Sequence, residues 1–157
     1  MVVKYRFDRS DLKKIRDMLD ATGRSLEDCT ELFFDIQSDV LVPSAAKTFD
    51  AEGRPATWPA LSEAYALRKA RVVGHTQILV YNESLHESVA SESGNEFSVR
   101  EVGPRRMLFG TERPWAGVHQ DGGGNVPARP FLVVQDEDYE KILDIAMGLR
   151  LNPEEEP

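Results

Sequence analysis

Between residues 25 and 46 apolar side chains recur at spacings of three and four: Leu26, Cys29, Phe33, Ile36 and Val40. An α-helix places such positions on one face, and an apolar face has to be buried against something. The chain must therefore fold around a long helix. Its start is expected at Ser25, because Ser25-Leu26-Glu27-Asp28 approximates a capping box and loads acid onto the first turn. Its end is expected near Pro43 or Ala46. Cys29 sits inside the stripe and reads as a small buried hydrophobe. It is the single cysteine, so an intramolecular disulfide is excluded and a thiolate metal site is disfavoured.

Helical patterning frames this element on both sides. Leu12, Ile15 and Leu19 predict a helix over Asp8 to Ala21, stopped by Gly23. Lys47 to Thr57 reads as loop. A further helix is expected from Pro59 to Val72, with Leu61, Tyr65 and Leu67 along it and Arg68, Lys69 and Arg71 as a solvated basic face. Ile78 to Ser88 reads as a short helical or mixed segment. Then the period changes to two. Ser88 to Ser91, Phe97 to Val102 and Arg106 to Phe109 predict three strands of an antiparallel meander, with turn chemistry at Ser93-Gly94-Asn95 and Gly103-Pro104. A short helix is expected over Trp115 to Gln120, then a mobile loop at Gly122, Gly123 and Gly124, then a strand at Phe131 to Val134. Asp136 is expected to cap a closing helix carrying Tyr139, Ile142, Leu143, Ala146 and Leu149. The fold class is thus α+β, with N-terminal helices packed on a small antiparallel sheet and a C-terminal helix. Residues 1–151 form one domain in this reading, and 152–157 a disordered acidic tail.

Function classes narrow by exclusion. At 157 residues with a net charge of −8, tight non-specific binding to nucleic acid is disfavoured. No apolar run is long enough to span a membrane, and the N-terminus lacks an apolar signal region, so an intracellular protein is expected. There is no P-loop, no dinucleotide fingerprint and no nucleophile elbow. His75, His86 and His119 are far apart and form no ligand pattern. No metal or cofactor is expected.

The segment from Phe109 to Phe131 is more specific. It contains Gly110-Thr111, Trp115-Ala116, His119-Gln120, the glycines 122 to 124, and Pro127-Ala128-Arg129-Pro130-Phe131. This resembles the phage virion morphogenesis family, the tail-completion proteins of Mu-like and related contractile-tailed phages. Trp58, Leu61, Tyr65 and Lys69 are similar to the family's W-x-x-L-x-x-x-Y-x-x-x-K helix. Ile78-Leu79, Leu85 and Ser88 are similar to its I-L-x-x-T-G-x-L-x-x-S segment, with Glu83-Ser84 read in place of the Thr-Gly. The resemblance spans about Leu12 to Leu149.

It implies a structural, non-catalytic protein for tail completion or head–tail joining. The subunit would sit in a ring, a hexamer by analogy, in the host cytoplasm during assembly and then at the head–tail junction or head-proximal tail end. Its partners would be other copies of itself and tail tube, tail terminator or head connector proteins. The candidate assembly residues are Trp115, His119, Gln120, Gly122, Gly123, Gly124, Arg129 and Phe131. Two prolines stiffen the backbone around Arg129, so its guanidinium can meet a carboxylate with little entropy loss. Asp136, Glu137, Asp138 and a neighbour's surface all remain open as the acid. The long second helix and the glycine loop are the expected subunit contacts. Two rivals stay open: a small hydrolase using His119 with Asp121, and a nucleic-acid-binding module using Arg68, Lys69 and Arg71.

Overall fold

The computed structural model describes residues 28–146, together with Lys13, Arg16 and Asp17, which are helical and exposed. The rest of the helix expected over 8–21, the cap at Ser25 and the tail at 152–157 lie outside the described residues.

The long helix is there and runs further than its sequence suggests. It comprises α1 (Thr30–Asp35), a π-helical stretch (Ile36–Leu41) and α2 (Val42–Asp50). The end expected near Pro43 or Ala46 is passed: the wide turns finish just before the proline, which occupies the first turn of α2, and the helix continues to Asp50. Residues 47–50 are therefore helix, not loop. Phe49 is fully buried at its end, edge-on to Trp58 and His86 and tilted against Phe131. These rings and the neighbouring Val40, Leu85 and Ile142 form the core. Cys29 is buried as expected, and burial pushes its thiol pKa up.

The next helix, α3 (Glu63–Val73), starts later than Pro59. The carbonyls of Pro59 and Ala60 accept hydrogen bonds from Arg129, so they are not free to open a helical ladder. Gly74 closes α3 in the left-handed conformation. Residues 84–90 form α4 (Ser84–Ala90), so the strand expected at Ser88 to Ser91 is a helix end. Leu85, Ser88 and Val89 repeat at three and four and are buried together, and the Ser88 hydroxyl donates to the Leu85 carbonyl.

The meander is consequently a hairpin. β1 (Ser98–Gly103) pairs antiparallel with β2 (Arg106–Thr111), Arg100 opposite Phe109. Gln37, from the π-helical stretch, donates to the carbonyls of Glu101 and Leu108 and so ties helix to hairpin. α5 (Ala116–Asp121) matches the expected short helix. The closing helix is α6 (Asp136–Ala146), packed on α1 and the π-helical stretch. Its N-terminal bond comes from buried Asp138, not Asp136. The Asp138 carboxylate accepts from the Gln135 backbone N–H at 2.8 Å and from the Ser44 hydroxyl. The result is an α+β fold with a two-stranded antiparallel sheet and a C-terminal helix. No helix among the described residues is long and apolar enough to cross a membrane.

Candidate functional site

The segment 127–134 does not join the sheet. Gln120 stands in for a partner strand. Its side-chain Oε1 accepts from the backbone N–H groups of Phe131 (3.0 Å) and Leu132 (3.1 Å), while its Nε2 donates to the Leu132 carbonyl (3.1 Å). One amide side chain thus satisfies the polar backbone that enters the core with Phe131, itself fully buried. The expected strand is missing because these groups are already paired. The preceding carbonyl, of Pro130, accepts from the Trp58 indole N–H at 2.8 Å.

Arg129 is held from both ends. Its backbone N–H donates to the His119 carbonyl at 2.7 Å. Its side chain, 6% exposed, donates from Nε to Pro59 O (2.9 Å) and from Nη2 to Ala60 O (3.2 Å). None of the three acids considered for an intramolecular pair meets it. Glu137 pairs with Arg54, Asp138 is committed to Ser44 and Gln135, and Asp136 is exposed. Backbone carbonyls of the α3 approach hold the guanidinium instead. Arg129 Nη1 has no partner among the described residues.

The glycine run is likewise more ordered than a mobile loop. Gly123 and Val126 exchange two backbone hydrogen bonds of 3.0 Å, closing a four-residue turn. Gly124 supplies the positive φ of 57° at its first central position, where a type II′ turn needs glycine. Gly122 has φ 78° and ψ 169°, a region open essentially to glycine alone, and a Cβ there would lie 2.9 Å from the Ala128 backbone nitrogen.

These pieces border an open groove of about 810 Å³. Trp115 at the N-cap of α5 and His119 within it, Tyr65 and Lys69 of α3, Tyr81, and Asn125 to Pro127 with Arg129 line it. Tyr65, Tyr81 and Trp115 are exposed aromatics. Lys69 was expected on a solvated face, yet it is 3% exposed and its ammonium donates to the Gln77 carbonyl. Burial lowers its pKa, partly opposed by Glu52. The basic trio is thereby divided, because Arg68 lies over the Tyr65 ring instead, at 5.7 Å. His119 stacks edge-on with Trp115 at 5.4 Å, and its buried Nδ1 has no hydrogen-bond partner among the described residues. Burial and then the Arg129 charge depress its pKa.

Of the sequence candidates, Trp115, His119 and Arg129 meet at the groove. Gln120, Phe131 and Gly122 to Gly124 support it from behind or beside. Tyr81 and Asn125 also line it, and no spacing rule marks either. Tyr65 and Lys69, in contrast, fall four residues apart on one face of α3, and Leu61 lies four residues before Tyr65, ahead of the helix.

Comparison with known proteins bears on the chain as a whole. The pattern of the phage virion morphogenesis family matches residues 10–149. The chain is 32% identical over 108 residues to Mu-like prophage FluMu G protein 2 of Haemophilus influenzae, an overlap covering 64% of each chain. No solved structure matches. With most of its length matched, the chain belongs to the phage virion morphogenesis family, and its role lies in phage virion assembly.

Proposed function

We propose that the protein is a structural, non-catalytic subunit that completes the tail or joins tail to head, working in a closed ring of identical copies. Its partners are tail tube, tail terminator or head connector proteins. The observation that carries this reading is convergence. Residues of three separated family motifs, Tyr65 and Lys69, Leu79, and Trp115 with His119 and Arg129, border one open groove. Exposed tyrosine and tryptophan beside buried cations is the make-up of a protein-binding surface. Heterologous contacts between identical subunits close into a ring when the rotation permits.

The hydrolase reading finds little support in this geometry. Asp121 does not hydrogen-bond His119 Nδ1, and the charged neighbour that acts on the ring is Arg129, a cation. A general base is ordinarily oriented by an acceptor on its second nitrogen.

Complementation of a phage or prophage lacking the gene tests the proposal. The wild-type protein restores infective particles, and Trp115→Ala yields separate heads and tails by electron microscopy with at least about a tenfold lower titre. A protein that stays monomeric by mass photometry and never binds tails or connectors would sink it.

A further inference from the structure

The groove has a charge sign opposite to that of the chain. The net charge is −8, yet among the described residues no carboxylate lines the groove. Its charged lining residues are Lys69 and Arg129, with His119 beside them. Both cations are buried and satisfied by neutral carbonyls, and Arg129 Nη1 retains donors without a partner among the described residues. Desolvated cations whose hydrogen bonds go to carbonyls favour an anionic ligand more strongly than exposed ones, although Glu52 already acts on Lys69. Tyr65, Tyr81 and Trp115 supply flat apolar faces in the same groove. Aromatic-lined grooves of this kind take proline-containing extended segments, whose conformation is already restricted.

The sequence contains a segment with both chemistries. Residues 152–157 read Asn-Pro-Glu-Glu-Glu-Pro, three carboxylates between two prolines. We infer that the groove seats residues 152–157 of a second copy of this chain, the prolines against the aromatic rings and the glutamates toward Arg129 and Lys69. A second copy is favoured because α6, which leads toward this segment, packs on α1 and the π-helical stretch, elements that do not line the groove. The inference deepens the ring reading by naming one of its contacts, and rests on it.

The test uses the full chain and a variant ending at Leu151. A synthetic peptide of residues 148–157 is titrated into the shortened protein by calorimetry, with tryptophan fluorescence followed in parallel. Trp58 is buried and Trp115 borders the groove, so the optical change reports Trp115. The expected result is saturable binding, about tenfold weaker for the peptide carrying Glu154→Gln, Glu155→Gln and Glu156→Gln, and weakened by salt. Trp115→Ala should weaken binding while leaving the circular dichroism spectrum unchanged. The full chain should self-associate with rising concentration by sedimentation, and the shortened chain should not.

Absence of peptide binding overturns the inference. So does equal affinity for the glutamine peptide. If the full chain, diluted to monomer, excludes the peptide, the segment folds back on its own copy and the second-copy seat is wrong. If the shortened chain self-associates as well as the full one, this contact is wrong while the ring reading stands.

Discussion

Gln120 carries the heaviest structural load of any single polar side chain near the groove. It serves two buried-side N–H groups and one carbonyl that no strand reaches. Gln120→Ala should cost about 2 kcal/mol, read as a lower urea midpoint at unchanged slope, because unsatisfied backbone donors keep their desolvation penalty. Gln120→Glu should recover only part of this, since an ionised carboxylate accepts from both N–H groups but repels the Leu132 carbonyl. His119 gives a pH signature. Its folded pKa lies below the ordinary 6.5, so the unfolded chain binds the proton more readily. Its contribution is therefore complete above 6.5 and is lost as pH falls below that value, levelling off beneath the depressed folded pKa. Urea titrations from pH 7.5 downward should show the loss, and His119→Phe should flatten it.

Among the elements, the one-residue details of the turns matter most. Counting back from Leu85 in I-L-x-x-T-G-x-L-x-x-S puts the glycine at Glu83, not at Ser84. Glu83 has φ 61°, the left-handed conformation that a glycine adopts without strain. Glu83→Gly should therefore stabilise the protein by about 0.5–1 kcal/mol, the relief of left-handed strain less the added freedom of the unfolded chain. Glu83→Ala should show no such gain by thermal melting. Gly122→Ala should act oppositely, costing about 2 kcal/mol, because its φ and ψ admit little but glycine and the Cβ meets Ala128. Sequence periodicity was sufficient for the long helix, the hairpin, α5 and α6, where one face is apolar. It failed at Ser88 to Ser91, where four residues fit either period, and at Phe131 to Val134, where a strand-like run is paired by a side chain. The site was partly legible: Trp115, His119 and Arg129, which the sequence singled out, border one groove. The partners of Arg129 were not legible, because Pro59 and Ala60 contribute carbonyls, and every residue has one.

At the scale of the molecule, helices, hairpin and the 127–134 segment share the cluster around Phe49. Phe49→Ala should cost about 4 kcal/mol, since it empties a site touching Trp58, His86 and Phe131 together. Loss of cooperative thermal unfolding is the measurement. Because Trp58 also donates to Pro130 beside Arg129, the same change should loosen the groove before it unfolds the chain, seen as greater Trp115 quenching by iodide. The negative charge of the molecule and the cationic lining of its groove divide the surface into one part that repels copies and one that attracts them. Association should thus depend on ionic strength in both directions, and sedimentation across a salt series would separate the two.

The wide turns between Ile36 and Leu41 act as a phase adjuster. At their start, Gln37 is aimed at the hairpin; downstream, Ser44 is aimed at α6 and Phe49 at the core. The wide turns already hold about one residue more than α-helical turns, and an α-helix advances about 100° per residue, so inserting one more residue here would rotate the two halves by that angle relative to each other. No rotamer change restores such an offset. Length, more than residue identity, is then the constrained quantity in this stretch: substitutions at exposed Asp39 should be tolerated, while a single insertion should uncouple hairpin from closing helix.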